Sequence, residues 1–185
     1  MIRKNVVGDL PQIDITAFVD PSAVIIGRVI IGGNSYVGPG VVIRADRFSA
    51  VDEIAKIEIG KNCCIQDLAV MHARAETFIT IQDNTTITHG AIIHGPTAVG
   101  NGCFIGARSA ITNAMIGDSV YIRSNAIIEN VSIAKESFVA NNAVLESQET
   151  TISLRKITAK EKEFIQKCAN ENKEFALRYK YSLTD

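Results

Sequence analysis

A branched aliphatic side chain returns every six residues along most of this chain. Val19, Ile25, Ile31, Val37 and Ile43 set the register, which resumes at Ile59, Ile65 and Met71. It then runs unbroken through Ile81, Ile87, Ile93, Val99, Ile105 and Ile111. Two five-residue steps follow, giving Ile116, Ile122 and Ile128, then Ile133, Val139 and Leu145. Two residues before most of these sits a small side chain, among them Ala17, Ala23, Ser35, Cys63, Ala69, Thr85, Ala91, Cys103, Ser109 and Ala126. A period of six suits neither an amphipathic helix nor an alternating strand. It suits a short flat strand plus a corner, with one large and one small side chain pointing inward per side. Three such sides close a triangular coil of about 18 residues, and coils stack at about 4.8 Å like neighbouring strands. Glycines such as Gly32, Gly38, Gly60 and Gly106 supply backbone freedom at the corners.

The reading is therefore an all-β solenoid of about seven coils over residues 17–147. The hexapeptide pattern resembles the left-handed parallel β-helix family, and the left hand is implied by that resemblance alone, because ordinary crossovers are right-handed. Steps of 16 residues from Ile43 to Ile59 and of 10 from Met71 to Ile81 break the register. They predict loops near Phe48–Ala55 and Arg74–Phe78. After Glu146 the composition changes. Thr158 with Glu161 matches a capping box, and Phe164, Ile165, Cys168, Phe175, Ala176 and Tyr179 form an apolar stripe. A C-terminal α-helix over 158–180 is expected to pack alongside the solenoid, within one domain spanning 1–185.

Composition narrows the function. With 20 acidic and 19 basic residues in 185, the net charge of −1 offers no electrostatic footprint for nucleic acid or an anionic membrane. No apolar run reaches the roughly 20 residues a bilayer span needs, and Met1 leads into no signal-peptide core. The expectation is a cytoplasmic protein. Cys63 and Cys103 fall in inward slots; Cys64 and Cys168 do not, and no CxxC pair occurs.

All three histidines, His72, His89 and His94, fall within 23 residues. Imidazole is the commonest metal ligand, and three with one open position is a catalytic zinc arrangement. His72 follows inward Met71 and His94 follows inward Ile93, so both point outward. If the 10-residue step is one repeat plus a four-residue loop, they share a face in adjacent coils. His89 belongs to the preceding repeat, hence to a different face. One convex prism cannot readily gather all three, but a threefold homotrimer can, and its closed symmetry gives three identical sites.

Ile43-Arg44-Ala45-Asp46, Ile65-Gln66-Asp67 with Met71-His72, and Thr88-His89-Gly90 with His94-Gly95-Pro96 resemble the gamma-class carbonic anhydrases. The stretch from Thr86 through Ala114 is similar to the branch containing the N-terminal domain of the carboxysome assembly protein. The resemblance implies zinc, with iron(II) or cobalt(II) as alternatives, held by His72 and His94 of one subunit and His89 of the next. It implies a metal-bound hydroxide that attacks carbon dioxide to give bicarbonate. Gln66 matches the residue that orients the hydroxide; Arg44, Asp46 and Asp67 match charged neighbours of the site; Asn172 matches a residue of the terminal helix. Three features depart from that pattern. Arg47 follows the Arg-x-Asp motif where a Glu is usual, Cys64 replaces an Asn, and the loop carrying the proton-shuttle Glu is shortened, leaving Glu76 as the nearby carboxylate. Two other function classes stay open: a hexapeptide acyltransferase using one His as general base with a coenzyme A groove, and a metal-holding scaffold trimer that binds protein partners.

Overall fold

The computed structural model describes residues 1–46 and 55–182. The predicted loop at Phe48–Ala55 therefore falls, except for Ala55, outside the described residues, as does Arg47. The rest of the chain winds into a parallel solenoid of about seven three-sided coils. Its first face stacks Val24–Gly27, Val42–Ala45, Val70–His72 and the starts of Ile92–Val99 and Ala110–Ile116, then Ile127–Glu129 and Val144–Leu145. Its second runs from Gln12–Ile13 through Val29–Ile31, Lys56–Ile59 and Phe78–Ile81 to the ends of the same two long strands and Ser132–Ile133. Its third comprises Phe18–Val19, Tyr36–Val37, Cys64–Ile65, Thr86–Ile87, Phe104–Ile105, Tyr121–Ile122 and Phe138–Val139. The coils thus begin at Gln12, ahead of residue 17, and a further strand at Ile2–Arg3 pairs with Ile25 and Ile26.

Every aliphatic of the six-residue register is buried except Val19, which is half-buried at the first coil. The small residues beside them carry a second task. Ser35 Oγ donates to Gly60 O and accepts from Cys63 N; Thr85 Oγ1 does the same for Gly100 O and Cys103 N, and Ser109 Oγ for Arg123 O and Ala126 N. Buried hydroxyls thereby satisfy corner backbone that the ladders leave over. Outside, one corner carries a ladder of side-chain amides, Asn34 to Asn62 to Asn84, each in the left-handed region with φ of 55°, 54° and 58°. Asn tolerates that region better than most residues. The insertion at Arg74–Phe78 is a tight turn, closed by Thr77 N–H to Arg74 O at 3.1 Å.

After the last coil come a short helix, α1 (Gln148–Ile152), which the sequence pattern does not announce, and a long one, α2 (Ala159–Ser182). The capping box closes as expected: Thr158 N–H donates to Glu161 Oε2 at 2.7 Å and Glu161 N–H to Thr158 Oγ1 at 3.3 Å. α2 runs back along the third face from the last coil to the first. Its buried residues are Ile165, Ala169 and Ala176, while the stripe's larger rings, Phe164, Phe175 and Tyr179, stay half-exposed as they lean on the face. Phe164 meets Phe104 and Tyr121, Phe175 meets Tyr36, and Tyr179 meets Phe18, with ring centroids 5.0–5.7 Å apart. Lys162 with Glu136 pins one end; Lys180, donating to the Ile15 and Ala17 carbonyls, pins the other. Among the described residues, no helix is long and apolar enough to cross a membrane.

Candidate functional site

The outward positions of the first face form a row in strict register: Ile26, Arg44, His72, His94, Thr112 and Glu129. The row explains how the two histidines meet. They are 22 residues apart, one coil plus the four-residue insertion, so their strands are neighbours, and the rings lie edge to face with centroids 5.6 Å apart. His72 is partly buried, and its Nε2 faces Asp46 Oδ1 at 3.8 Å. Arg44 secures that carboxylate from the other side. Its Nε and Nη2 donate to Asp46 Oδ2 at 3.1 and 2.8 Å, leaving Oδ1 buried, with no hydrogen bond from any described residue.

The remaining sequence-derived candidates gather elsewhere. His89 lies not on the flat of a face but in the turn joining the third face to the first, one coil above Asp67. Gly90 N–H donates to Asp67 O at 2.9 Å, and His89 Nε2 lies 3.8 Å from Asp67 Oδ2. A Cβ on Gly38 would come within 2.7 Å of Asp67 Oδ1, so glycine there makes room for this carboxylate. His89 is 61% exposed and Asp67 48%, so both can be met from outside the chain. Asn172 reaches the same region from α2, donating to Thr86 Oγ1 at 3.0 Å. Gln66, Asp67, His89 and Asn172 line a cavity of about 390 Å³ with Tyr36, Cys64, Phe175 and Tyr179.

Tyr36 is the residue whose place here the sequence reading passed over. It occupies an outward slot of the third face, one before inward Val37, and α2 leaves it 4% exposed. Burial and the nearby Asp67 carboxylate push its phenol up to about 12. Cys64 is equally covered, and burial raises its thiol to about 12 against a partly offsetting hydrogen bond with Gln66. Cys63 and Cys103 are buried in the core, also pushed to about 12 by desolvation. At neutral pH these three are thiols, poor nucleophiles and poor metal ligands. Glu76 sits exposed at the tip of the turn at 74–77, with φ 62°.

The site residues thus form two groups: Arg44, Asp46, His72 and His94 on the first face, and Gln66, Asp67, His89 and Asn172 at its edge. Two imidazoles make a ligand pair rather than a ligand set. Among the described residues, no three His, Cys, Asp or Glu side chains of one chain converge as a metal cage would require. The donors suit a divalent ion when a second copy adds a third.

The chain matches no protein-family model. It is 40% identical over 116 residues to the carboxysome assembly protein CcmM of Nostoc sp., a match covering 57% of this chain and 20% of that protein. It is also 40% identical over 111 residues to the carnitine operon protein CaiE of Salmonella agona, covering 60% of this chain and 52% of that one. The chain thus matches about half or less of each curated relative's length. A solved structure described as a hexapeptide transferase family protein from Anaplasma phagocytophilum superposes with a TM-score of 0.80 at 27% identity, covering 96% and 97% of the two chains. The coil, its period and these likenesses make this chain a hexapeptide-repeat left-handed β-helix protein. Within that class its recognised relatives include CcmM and CaiE.

Proposed function

We propose that the protein is a gamma-class carbonic anhydrase that works as a homotrimer, hydrating carbon dioxide to bicarbonate. The observation that carries the reading is the in-register pair His72 and His94, with the chain's third histidine exposed on the edge next to that face. His72 and His94 of one subunit with His89 of the next would hold zinc, or iron(II) or cobalt(II) in its place. The bound ion supplies a Lewis acid that makes water a nucleophile near neutral pH. The chain's own residues do the rest. The neutral amide of Gln66 can donate to or accept from the attacking oxygen, directing its lone pair toward carbon dioxide without altering the site's charge. Arg44 neutralises Asp46 beside His72, so that carboxylate adds no net negative charge next to the imidazoles. Asp67 places a carboxylate 3.8 Å from His89 Nε2, at the edge that would meet the next subunit. Each hydration releases a proton, and with Glu76 out on a surface turn, buffer is expected to carry it away. Stopped-flow hydration by zinc-loaded trimer, with metal content measured in parallel, tests the proposal. A buffer-dependent rate above background supports it. A rate no faster than buffer in fully metallated trimer overturns it and leaves a metal-holding scaffold, in keeping with the likeness to a carboxysome assembly protein.

Acyl transfer is the second reading. The pairing of His89 with Asp67 beside a 390 Å³ cavity is a general-base arrangement, and a solved relative is described as a hexapeptide transferase family protein. Calorimetric titration with coenzyme A separates the two: micromolar binding favours acyl transfer, and no heat at millimolar ligand removes it.

A further inference from the structure

The second face, unused by the proposed chemistry, carries a cavity of about 610 Å³ where the first coil meets the N-terminal loop. That volume is in the range of small-ligand sites. None of its lining residues belongs to the two groups of site residues described above. One wall is the loop at 5–9, and hydrogen bonds make it stiff. Asn5 is 8% exposed; its Oδ1 accepts from the Val7 and Asp9 N–H groups at 3.1 and 2.9 Å, and its Nδ2 donates to Asp9 Oδ2 at 3.1 Å. Asn5 N–H closes the loop on Asp9 O at 3.1 Å, across Gly8 at φ 103°. A Cβ on Gly27 would come within 2.1 Å of Ala45 O and 3.3 Å of Asn5 Cβ, so glycine there lets the loop seat against the coil. The Asp9 carboxylate is thereby fixed through one oxygen, and no described residue donates a hydrogen bond to the other.

The other wall is built from strands. Arg28 and Lys56 precede the inward residues Val29 and Ile57, which are register partners, so the two cations point outward one coil apart. Lys56 is paired with Glu58 at 2.6 Å, and that pair adds no net charge. Arg28 and Asp9 are left over. They line one cavity with opposite charges, and among the described residues neither enters an ion pair. The floor is apolar, with Leu10 and Ile30 52% and 36% exposed beside buried Val29. An ion of a single sign would satisfy one of the two charges and leave the other uncompensated; a ligand carrying both signs satisfies each. We infer that this cavity binds a zwitterionic amino acid with an apolar body, its carboxylate on Arg28, its ammonium on Asp9 and its carbon chain over Leu10 and Ile30. Arginine offers a planar fork of donors that fits a carboxylate, and the open oxygen of Asp9 accepts an ammonium N–H. Neither the metal nor the trimer enters the inference, because the cavity shares no residue with them.

Titration calorimetry on the full chain tests it with two amino acids whose charges are differently spaced, L-leucine and 6-aminohexanoate. Each is compared with forms that lack one charge: N-acetyl-L-leucine and L-leucinamide, or hexanoate and hexylamine. At least one amino acid should bind saturably, and removing either of its charges should weaken binding about 10–100-fold, the scale of one charge-assisted hydrogen bond. Arg28→Gln should weaken the amino acid on the same scale and leave the form without a carboxylate unaffected. Asp9→Asn should weaken it likewise and leave the form without an ammonium unaffected. Damage to the loop would not give that crossed pattern, and Arg28 is exposed, so its variant keeps the fold. No saturable heat from either amino acid at about 10 mM overturns the inference, as does a single-charge form that binds as tightly as its parent. Zinc content and sedimentation of the Arg28→Gln variant should match the parent, so the metal reading stands or falls separately.

Discussion

The first and third faces of the solenoid share one inward design and differ wholly in what they show to the outside. Both line the core with Ile or Val at the register position and a small residue two before it. On the third face the outward slots are Phe18, Tyr36, Cys64, Thr86, Phe104, Tyr121 and Phe138, and all of these but Phe104 and Phe138 are buried beneath α2. On the first face the corresponding slots are Val24, Val42, Val70, Ile92, Ala110 and Ile127, half-buried or exposed, with the histidine row beside them. Rings long enough to stack recruit a helix from the same chain. Short branched side chains leave a flat face suited to close approach by another sheet edge. The inward pattern specifies the coil; the outward pattern specifies what covers each side.

Removing the cover from the third face should have the largest effect. A chain truncated at 157 exposes the aromatic row and should leave the soluble fraction on expression, whereas unchanged melting and oligomeric state would mean that α2 serves a partner instead. Tyr36→Ala, a single defect in that row, should cost about 3–5 kcal/mol in chemical denaturation, the range for truncating a buried aromatic. Gln66→Ala, at the edge where the faces meet, should keep its zinc and lose about 10–100-fold in hydration rate, the usual scale for a residue supporting a metal site. A fully active variant would strip Gln66 of its proposed role. Next comes pH. The Arg155 guanidinium and the helix cap hold Glu161 down at about 2, against its ordinary 4.5. Its contribution is therefore complete above about 4.5 and fades as pH falls toward 2. Glu161→Gln should flatten acid melting across that window, and a curve identical to the parent's would show that the cap does not hold α2 in place. Smallest for the fold is Ile92→Asp on the first face, expected within about 0.5 kcal/mol by denaturation of the dissociated chain, at concentrations too low for trimer, because the site is exposed in one chain. The same variant should lower the mass seen in sedimentation. If it instead unfolds the coil, the two faces are less different than their burial suggests.

How much of this could be read in advance follows from the same contrast. Inward residues obey a period, so the coil, its stacking and the neighbourhood of His72 and His94 follow from counting. The first coil is harder to see because, although Ile13 stands six residues before Val19, Pro11 takes the small-residue slot before it and the exposed Ile15 interrupts the pattern between them. α1 has no apolar stripe to announce it, and none of its residues is buried. The cavity containing Tyr36, Gln66, His89 and Asn172 draws on three coils and a helix, and no local spacing encodes such a meeting. Outward slots did carry a signal: Phe18, Tyr36, Phe104, Tyr121 and Phe138 each precede an inward aliphatic, a run of rings that asks for a cover.

Solenoids ordinarily change length by duplicating or losing a turn, since each unit contacts only its neighbours. Here α2 removes that freedom. Its 24 residues reach about 36 Å, and seven coils rise about 34 Å, with Lys162 fastened at one end and Lys180 at the other. An extra coil would carry the Ile15 and Ala17 carbonyls beyond the helix's reach unless about three residues were added to it at the same time. Two independent genetic changes, neither useful alone, would have to arrive together. The helix is thus a gauge of the repeat number, and descendants of this chain should vary in their loops long before they vary in how many turns they have.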